Sequence, residues 1–376
     1  MSAHNPLREL EALGQSIWLD YIQRSLLTSG DLARLIEVDG IRGLTSNPAI
    51  FEKAIAASDE YDQSLITALS GDPNLDVEEL FEALAIDDIA MAADIFQPVY
   101  ETGRGDDGMV SLEVSPELAD DTAGTVREAL KLWDHLDMPN VMIKVPGTEA
   151  GVEAFEELTA AGVNVNVTLL FSVQRYREVV QAYLHGLERR AKRGESLAGI
   201  ASVASFFVSR VDSAVDAALE AHGGDQALAL RGRAAIANAR LAYGHWQNIF
   251  ESAQFEPFRE RGALPQRLLW ASTGTKNPAY SDVLYVDELL GAETVNTLPP
   301  ATLDAYRDHG QPALRLGEGL LEAQALIDRL PDFGVNLERI TEQLEADGVS
   351  QFSEAYQRLL RAIVEKCARL MPQEGA

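Results

Sequence analysis

The chain has 376 residues, 46% hydrophobic and 24% charged, with 31 basic against 59 acidic side chains and a formal charge of -28. This is globular composition, long enough for one large or two medium domains with a substantial core. A field of this sign repels nucleic acid and anionic membrane surfaces, so an anionic small substrate needs a locally basic pocket.

One cysteine, Cys367, excludes an internal disulfide and a cysteine-based zinc site. The six histidines are scattered without an HExxH pattern, so no metal centre is expected. The N-terminus "MSAHNPLRELEALGQ" lacks the basic start and apolar core of a secretory signal. No run approaches the roughly 18 apolar residues of a membrane span. A reducing, cytoplasmic setting is therefore expected.

In chain order, "SIWLD" (16–20) and "IRGLTS" (41–46) read as the first two strands, followed by a helical insertion over 51–101. "MVSLEVS" (109–115) and "NVMIKV" (140–145) are the third and fourth. The helix in "TEAGVEAFEELTAAG" puts Val152, Phe155 and Leu158 on one face and stops at Gly162. "GVNVNVT" (162–168) is the fifth strand. The helix after it has Ser172 as N-cap and Tyr176, Val179, Tyr183 and Leu187 at helical spacing, which reads as core packing. "IASVASFFV" (200–208) is the sixth strand, and 209–262 reads as paired helices. "RLLWAS" (267–272) and "ETVNTL" (293–298) are the last two strands. Residues 301–370 add two or three amphipathic helices, with breaks near Pro331, Gly334 and Gly348. Eight strands alternating with helices predict an α/β fold, a (β/α)8 TIM barrel forming a single domain over 1–376 with additional helices inserted and at the C-terminus.

Chemistry in such a barrel gathers at the C-terminal ends of the strands. Polar residues recur there: Asp20, Asn47, Glu113, Lys144, Asn166, Thr168, Ser205, Arg210, Ser272 and, in the loop "TGTKNP", Lys276. Singly, each has a plain structural alternative. Asp20 could cap a helix, Asn47 could start a turn, Arg210 could pair with Asp212, and Lys144 could form an ion pair with Glu113. Together, so many polar strand ends exceed what a packed core requires. Lys144 stands out because it interrupts the apolar run "VMIKV", and burying an unpaired ammonium is costly. A desolvated lysine amine attacks a carbonyl to form a Schiff base, whose iminium withdraws electrons from the adjacent carbon–carbon bond. Asp20 and Glu113 are the available general bases. A Gly-containing loop over 273–283, before a helix, suits a phosphate.

The stretches "GLTSNPAIF", "NVMIKVPGTEAG", "GVNVNVTLLFS" and "ASVASFFVSRVD" resemble the transaldolase family in their order and over most of the chain. The long C-terminal part resembles the longer bacterial branch. The resemblance implies a cofactor-free, reversible transfer of a dihydroxyacetone unit from sedoheptulose 7-phosphate to glyceraldehyde 3-phosphate in the non-oxidative pentose phosphate pathway. The products are erythrose 4-phosphate and fructose 6-phosphate. It implies that Lys144 forms the Schiff base and that Asp20 is the acid/base. Glu113 and Thr168 would position a water, and Asn47 and Asn166 would bind donor hydroxyls. Ser205, Arg210 and Ser272 would hold phosphate. Many family members carry an arginine two residues after the serine matching Ser272. Here that place is Gly274, and Lys276 is the candidate replacement, without arginine's planar fork. The expected partners are phosphorylated sugars, and the expected assembly is a monomer or homodimer. Two alternatives are a fructose 6-phosphate aldolase-like enzyme and an inactive phosphosugar-binding protein.

Overall fold

The computed structural model describes residues 5–370. Eight parallel strands close on themselves in sequential order: β1 (Gln15–Asp20), β2 (Ile41–Thr45), β3 (Met109–Glu113), β4 (Val141–Pro146), β5 (Val165–Leu170), β6 (Ser202–Phe207), β7 (Arg267–Ala271) and β8 (Thr294–Leu298), with β8 paired back to β1. This is the expected TIM barrel with additional helices. Barrel strands face the lumen on one side and the helical ring on the other. Hence β4, β5 and β6 are buried at every residue and are mostly apolar, interrupted by Lys144 on β4, Asn166 and Thr168 on β5, and Ser202 and Ser205 on β6.

The N-terminal end of the barrel is plugged by a buried charge whose two terminal nitrogens the fold pairs. Arg267 donates to Ser16 Oγ (2.6 Å), the Thr294 carbonyl (2.9 Å) and Asp107 Oδ1 (3.2 Å). Asp107 also accepts from Ser16 Oγ (2.7 Å). A buried guanidinium survives only with such partners, and this network leaves the opposite end as the one open to chemistry.

The helical insertion resolves into Pro48–Ala56, Asp62–Gly71 and Val77–Thr102, the last opened by a capping box between Asp76 and Glu79. Ser172 caps its helix as expected, accepting from the Arg175 N–H (3.0 Å). The fifth strand starts later than its alternation suggests. Gly162 closes the preceding helix in the left-handed conformation, at φ 92°.

The C-terminal region breaks at Leu330–Phe333 and at Gly334, but not at Gly348. Helix Leu337–Leu370 runs unbroken through that glycine. Interior glycine costs about 1 kcal/mol of helix propensity, and here close packing offsets it. A Cβ at Gly348 would lie 2.9 Å from Leu169 Cδ2. Leu169 itself sits at φ 61°, where the β5–β6 register slips. The bulge re-aims the strand end, and the glycine lets the helix seat on it. The residue four positions on, Phe352, then lies over the barrel mouth. Among the described residues, no helix is long and apolar enough to cross a membrane.

Candidate functional site

The end of β4 is shaped by the turn that follows it. Thr148 caps helix Glu149–Ala161, its Oγ1 accepting from the Gly151 N–H (3.0 Å). A side chain at Gly151 would collide with the Pro146 carbonyl, so the helix can begin directly against the strand only with glycine there. Lys144, two residues before the strand ends, is 5% exposed. Its Nζ donates to the Ser46 carbonyl (3.1 Å) and to Glu113 Oε2 (3.4 Å), and stands 5.7 Å from the centre of the Phe352 ring. The ion pair that offered a purely structural account is therefore present. Its lysine end lines a cavity, so the amine also faces open space.

Asp20, at the end of β1, accepts from Thr45 Oγ1 (2.8 Å). With its hydrogen committed to Asp20, Thr45 takes one from Thr297 Oγ1 at 2.7 Å. Burial raises the Asp20 pKa, opposed by the Lys144 charge, the Thr45 bond and the Lys276 charge. Burial likewise pushes Glu113 up to about 6, with Lys144 opposing and Asp20 adding to the rise. A group poised there suits proton transfer near neutrality. If Glu113 works as a carboxylate, kcat/KM falls as pH drops through about 6 and is flat above it from this group. A pH profile of the wild-type protein beside Glu113→Gln checks this, since the variant loses that limb.

A cavity of about 180 Å3 opens above Lys144. Asp20, Asn47, Thr168 and Ser205 face it from the strand ends, and Arg210, Ser272 and Lys276 from the far rim. Thr168 Oγ1 is buried without a partner, a free hydroxyl in the wall. Asn47 caps helix Pro48–Ala56 through its Oδ1 (3.0 Å to the Ile50 N–H), so its turn role and its place in the cavity coexist. Arg210 forms no ion pair with Asp212, which instead accepts from the Ala235 N–H (2.7 Å) and Tyr285 Oη (2.8 Å). The guanidinium lies 5.4 Å from the centre of the Phe207 ring, half-buried and, among the described residues, without a carboxylate in ion-pair reach. Ser272 has φ 55°, a conformation unusual outside glycine, with its Oγ 2.9 Å from Ser209 Oγ. Lys276 is exposed at the rim.

Two of the expected residues, Glu113 and Asn166, stand behind this cavity's wall. Asn166 pairs in register with Lys144; it accepts from Ser205 Oγ (2.7 Å) and donates to Ser111 Oγ (3.1 Å). Three groups in the cavity wall escaped the sequence reading. Thr45 and Thr297 carry no signal beyond a threonine in a strand. Phe352, on the C-terminal helix, is more than two hundred residues from Lys144, and only tertiary packing brings them together.

A family model described as Transaldolase/Fructose-6-phosphate aldolase matches residues 17–363. A transaldolase of Thiobacillus denitrificans is 50% identical over 359 residues, covering 96% of this chain and 99% of that one. A transaldolase 2 of Nostoc sp. is 45% identical, covering 98% and 100%. A transaldolase of Mycobacterium marinum is 45% identical, covering 96% and 97%.

Proposed function

The chain belongs to the transaldolase/fructose 6-phosphate aldolase family, and from that premise we propose that it works as a transaldolase through a Schiff base on Lys144. The observation that carries the reading is a buried lysine at the floor of a polar cavity, with two carboxylates whose pKa values burial raises.

Attack of the Lys144 amine on the ketone carbon of a sugar phosphate forms a carbinolamine, then an iminium. Counted from the ammonium, two N–H protons leave with the ketone oxygen as one water. Glu113, in contact with Nζ, takes a proton from nitrogen and returns it to the departing oxygen. The free Thr168 hydroxyl holds that water. Asp20 then accepts the proton of the C4 hydroxyl. The C3–C4 bond breaks, its electrons pass into the iminium, and an aldose phosphate leaves. Addition of the retained three-carbon enamine to a second aldose phosphate reverses these steps. Asn47 binds a donor hydroxyl, and Asn166 supports the site from behind the wall by holding the Ser205 hydroxyl that faces the cavity. Ser272, Arg210 and Lys276 receive the phosphate, the last two supplying positive charge in a strongly acidic protein, and Ser205 joins them when its hydrogen turns from Asn166. The chemistry calls for no cofactor.

Transfer is favoured over simple aldol cleavage because Phe207 packs its ring against Phe171, 5.1 Å between centres, and brings no hydroxyl to the cavity. The aldolase members that this chain resembles tend to carry tyrosine there, and glutamine at the place of Glu113. Fructose 6-phosphate incubated with and without erythrose 4-phosphate separates the two readings. The expected result is sedoheptulose 7-phosphate with the acceptor and no appreciable free dihydroxyacetone without it. Accumulation of free dihydroxyacetone would make the protein an aldolase.

A further inference from the structure

Behind the Lys144–Glu113 pair lies a second and larger cavity, of about 470 Å3. It is enclosed by helix Val77–Thr102, helix Thr122–Leu136, the C-terminal helix and the ends of β2 and β3. Glu113 lines this cavity, Lys144 lines the smaller one at the barrel mouth, and Asn47 belongs to both walls. The 3.4 Å contact between Lys144 Nζ and Glu113 Oε2 is thus the partition between two spaces. The larger space runs outward from Glu113 past Phe51, Phe81 and Tyr356, which meet edge to face, to an exposed rim that includes Glu78 and Glu79.

The chemistry above makes one water when the iminium forms and consumes one when it hydrolyses. Both events happen with the sugar in place. The mouth cavity is small beside ordinary ligand pockets of roughly 300–1,000 Å3, so a phosphorylated ketose fills it, and Phe352 roofs it. Water therefore needs another way in and out. The side cavity reaches Glu113, the group placed to move protons between the lysine nitrogen and the water oxygen. Five carboxylates of its outer wall outnumber Arg127 and Lys131, the latter paired with Glu82, so the passage disfavours a sugar phosphate and admits a neutral molecule, whereas Arg210 and Lys276 mark the mouth as the anion's entrance. We propose that this side cavity is a water passage to the Lys144–Glu113 pair, separate from the barrel mouth used by the sugar phosphates. The proposal rests on the Schiff-base reading.

Two substitutions fill the passage from opposite walls without touching the mouth, Ala85→Phe and Leu118→Trp. The probe is fructose 6-phosphate alone in heavy-oxygen water, following exchange of its C2 oxygen by mass spectrometry. In parallel, sugar affinity is measured, together with the borohydride-trapped adduct at equilibrium. Wild-type protein is expected to exchange the oxygen. Each filled variant that keeps the wild-type circular dichroism is expected to do so about tenfold more slowly, a barrier rise of about 1.4 kcal/mol. Affinity and trapped fraction stay unchanged, because a blocked passage alters rates and not equilibria. Exchange at the wild-type rate in a folded filled variant overturns the passage. So does slow exchange accompanied by lost sugar affinity, since the filling would then act through the mouth. Absence of a trapped adduct in wild-type protein is a different failure, that of the Schiff-base reading itself. The two variants sit on different elements, so misfolding of one leaves the other to decide.

Discussion

Lys144→Ala protein is expected to lose transfer activity by on the order of 10⁴-fold or more, because the proposed mechanism assigns to this amine the covalent intermediate that divides the reaction into accessible steps. The loss should not trace to unfolding. Alanine removes an ammonium whose partners are the Ser46 carbonyl and Glu113. The glutamate left behind can take up a proton, a change favoured by its burial, which in the wild-type protein holds its pKa at about 6 even against the Lys144 charge that the variant lacks. A raised carboxyl pKa means that the folded state binds this proton more tightly than the unfolded chain. The ionised Glu113 therefore costs stability above about pH 6, and the cost is relieved as pH falls through that value. Assays of fructose 6-phosphate formation, paired with thermal melts, separate lost chemistry from lost fold. Retained transfer in the alanine variant would remove Lys144 from the mechanism.

Asp20→Ala is expected to separate the two halves of the reaction. Iminium formation depends on Lys144 and Glu113 and survives, whereas carbon–carbon cleavage slows by about 10²–10⁴-fold, the usual size of a general acid–base contribution. Asp20 sits in the opening with the Lys144 and Lys276 charges acting on it, and its Oδ1 is oriented by the Thr45 bond. In the proposed mechanism, removing it leaves the covalent centre standing and takes away the proton acceptor. Single-turnover measurements with fructose 6-phosphate should show a trapped adduct of wild-type extent and a much slower release of glyceraldehyde 3-phosphate. Unchanged turnover would hand the base role to another group. Loss of the adduct as well would show that Asp20 acts earlier than cleavage.

Much of this site was legible because a parallel barrel delivers every strand end to one end of the barrel, so polar residues at the ends of seven apolar runs gather there whatever their separation in the chain. Lys144 was legible for a stricter reason: an ammonium within an apolar run needs partners, and Glu113, its register neighbour on β3, is one of them. What escaped depends on packing between distant segments. Nothing local to "DGVSQF" shows that Gly348 stays inside a helix or that Phe352 roofs the lysine. The close approach of Gly348 to the positive-φ Leu169 appears only in the folded packing. The Ser205–Asn166–Ser111 chain and the Arg267–Asp107 plug are likewise side-chain choices, invisible to strand periodicity. Arg210 shows the opposite error of sequence proximity. The acidic residue two positions away turns to Tyr285, and the guanidinium is left for the cavity.

Borohydride reduction in the presence of fructose 6-phosphate, followed by peptide mass spectrometry, tests the covalent account most directly. The chain has six lysines, which makes the outcome discriminating. A reduced three- or six-carbon adduct confined to the peptide carrying Lys144, and absent without the sugar, is the predicted result. An adduct on Lys276 or any other lysine, or none while transfer proceeds, would contradict it.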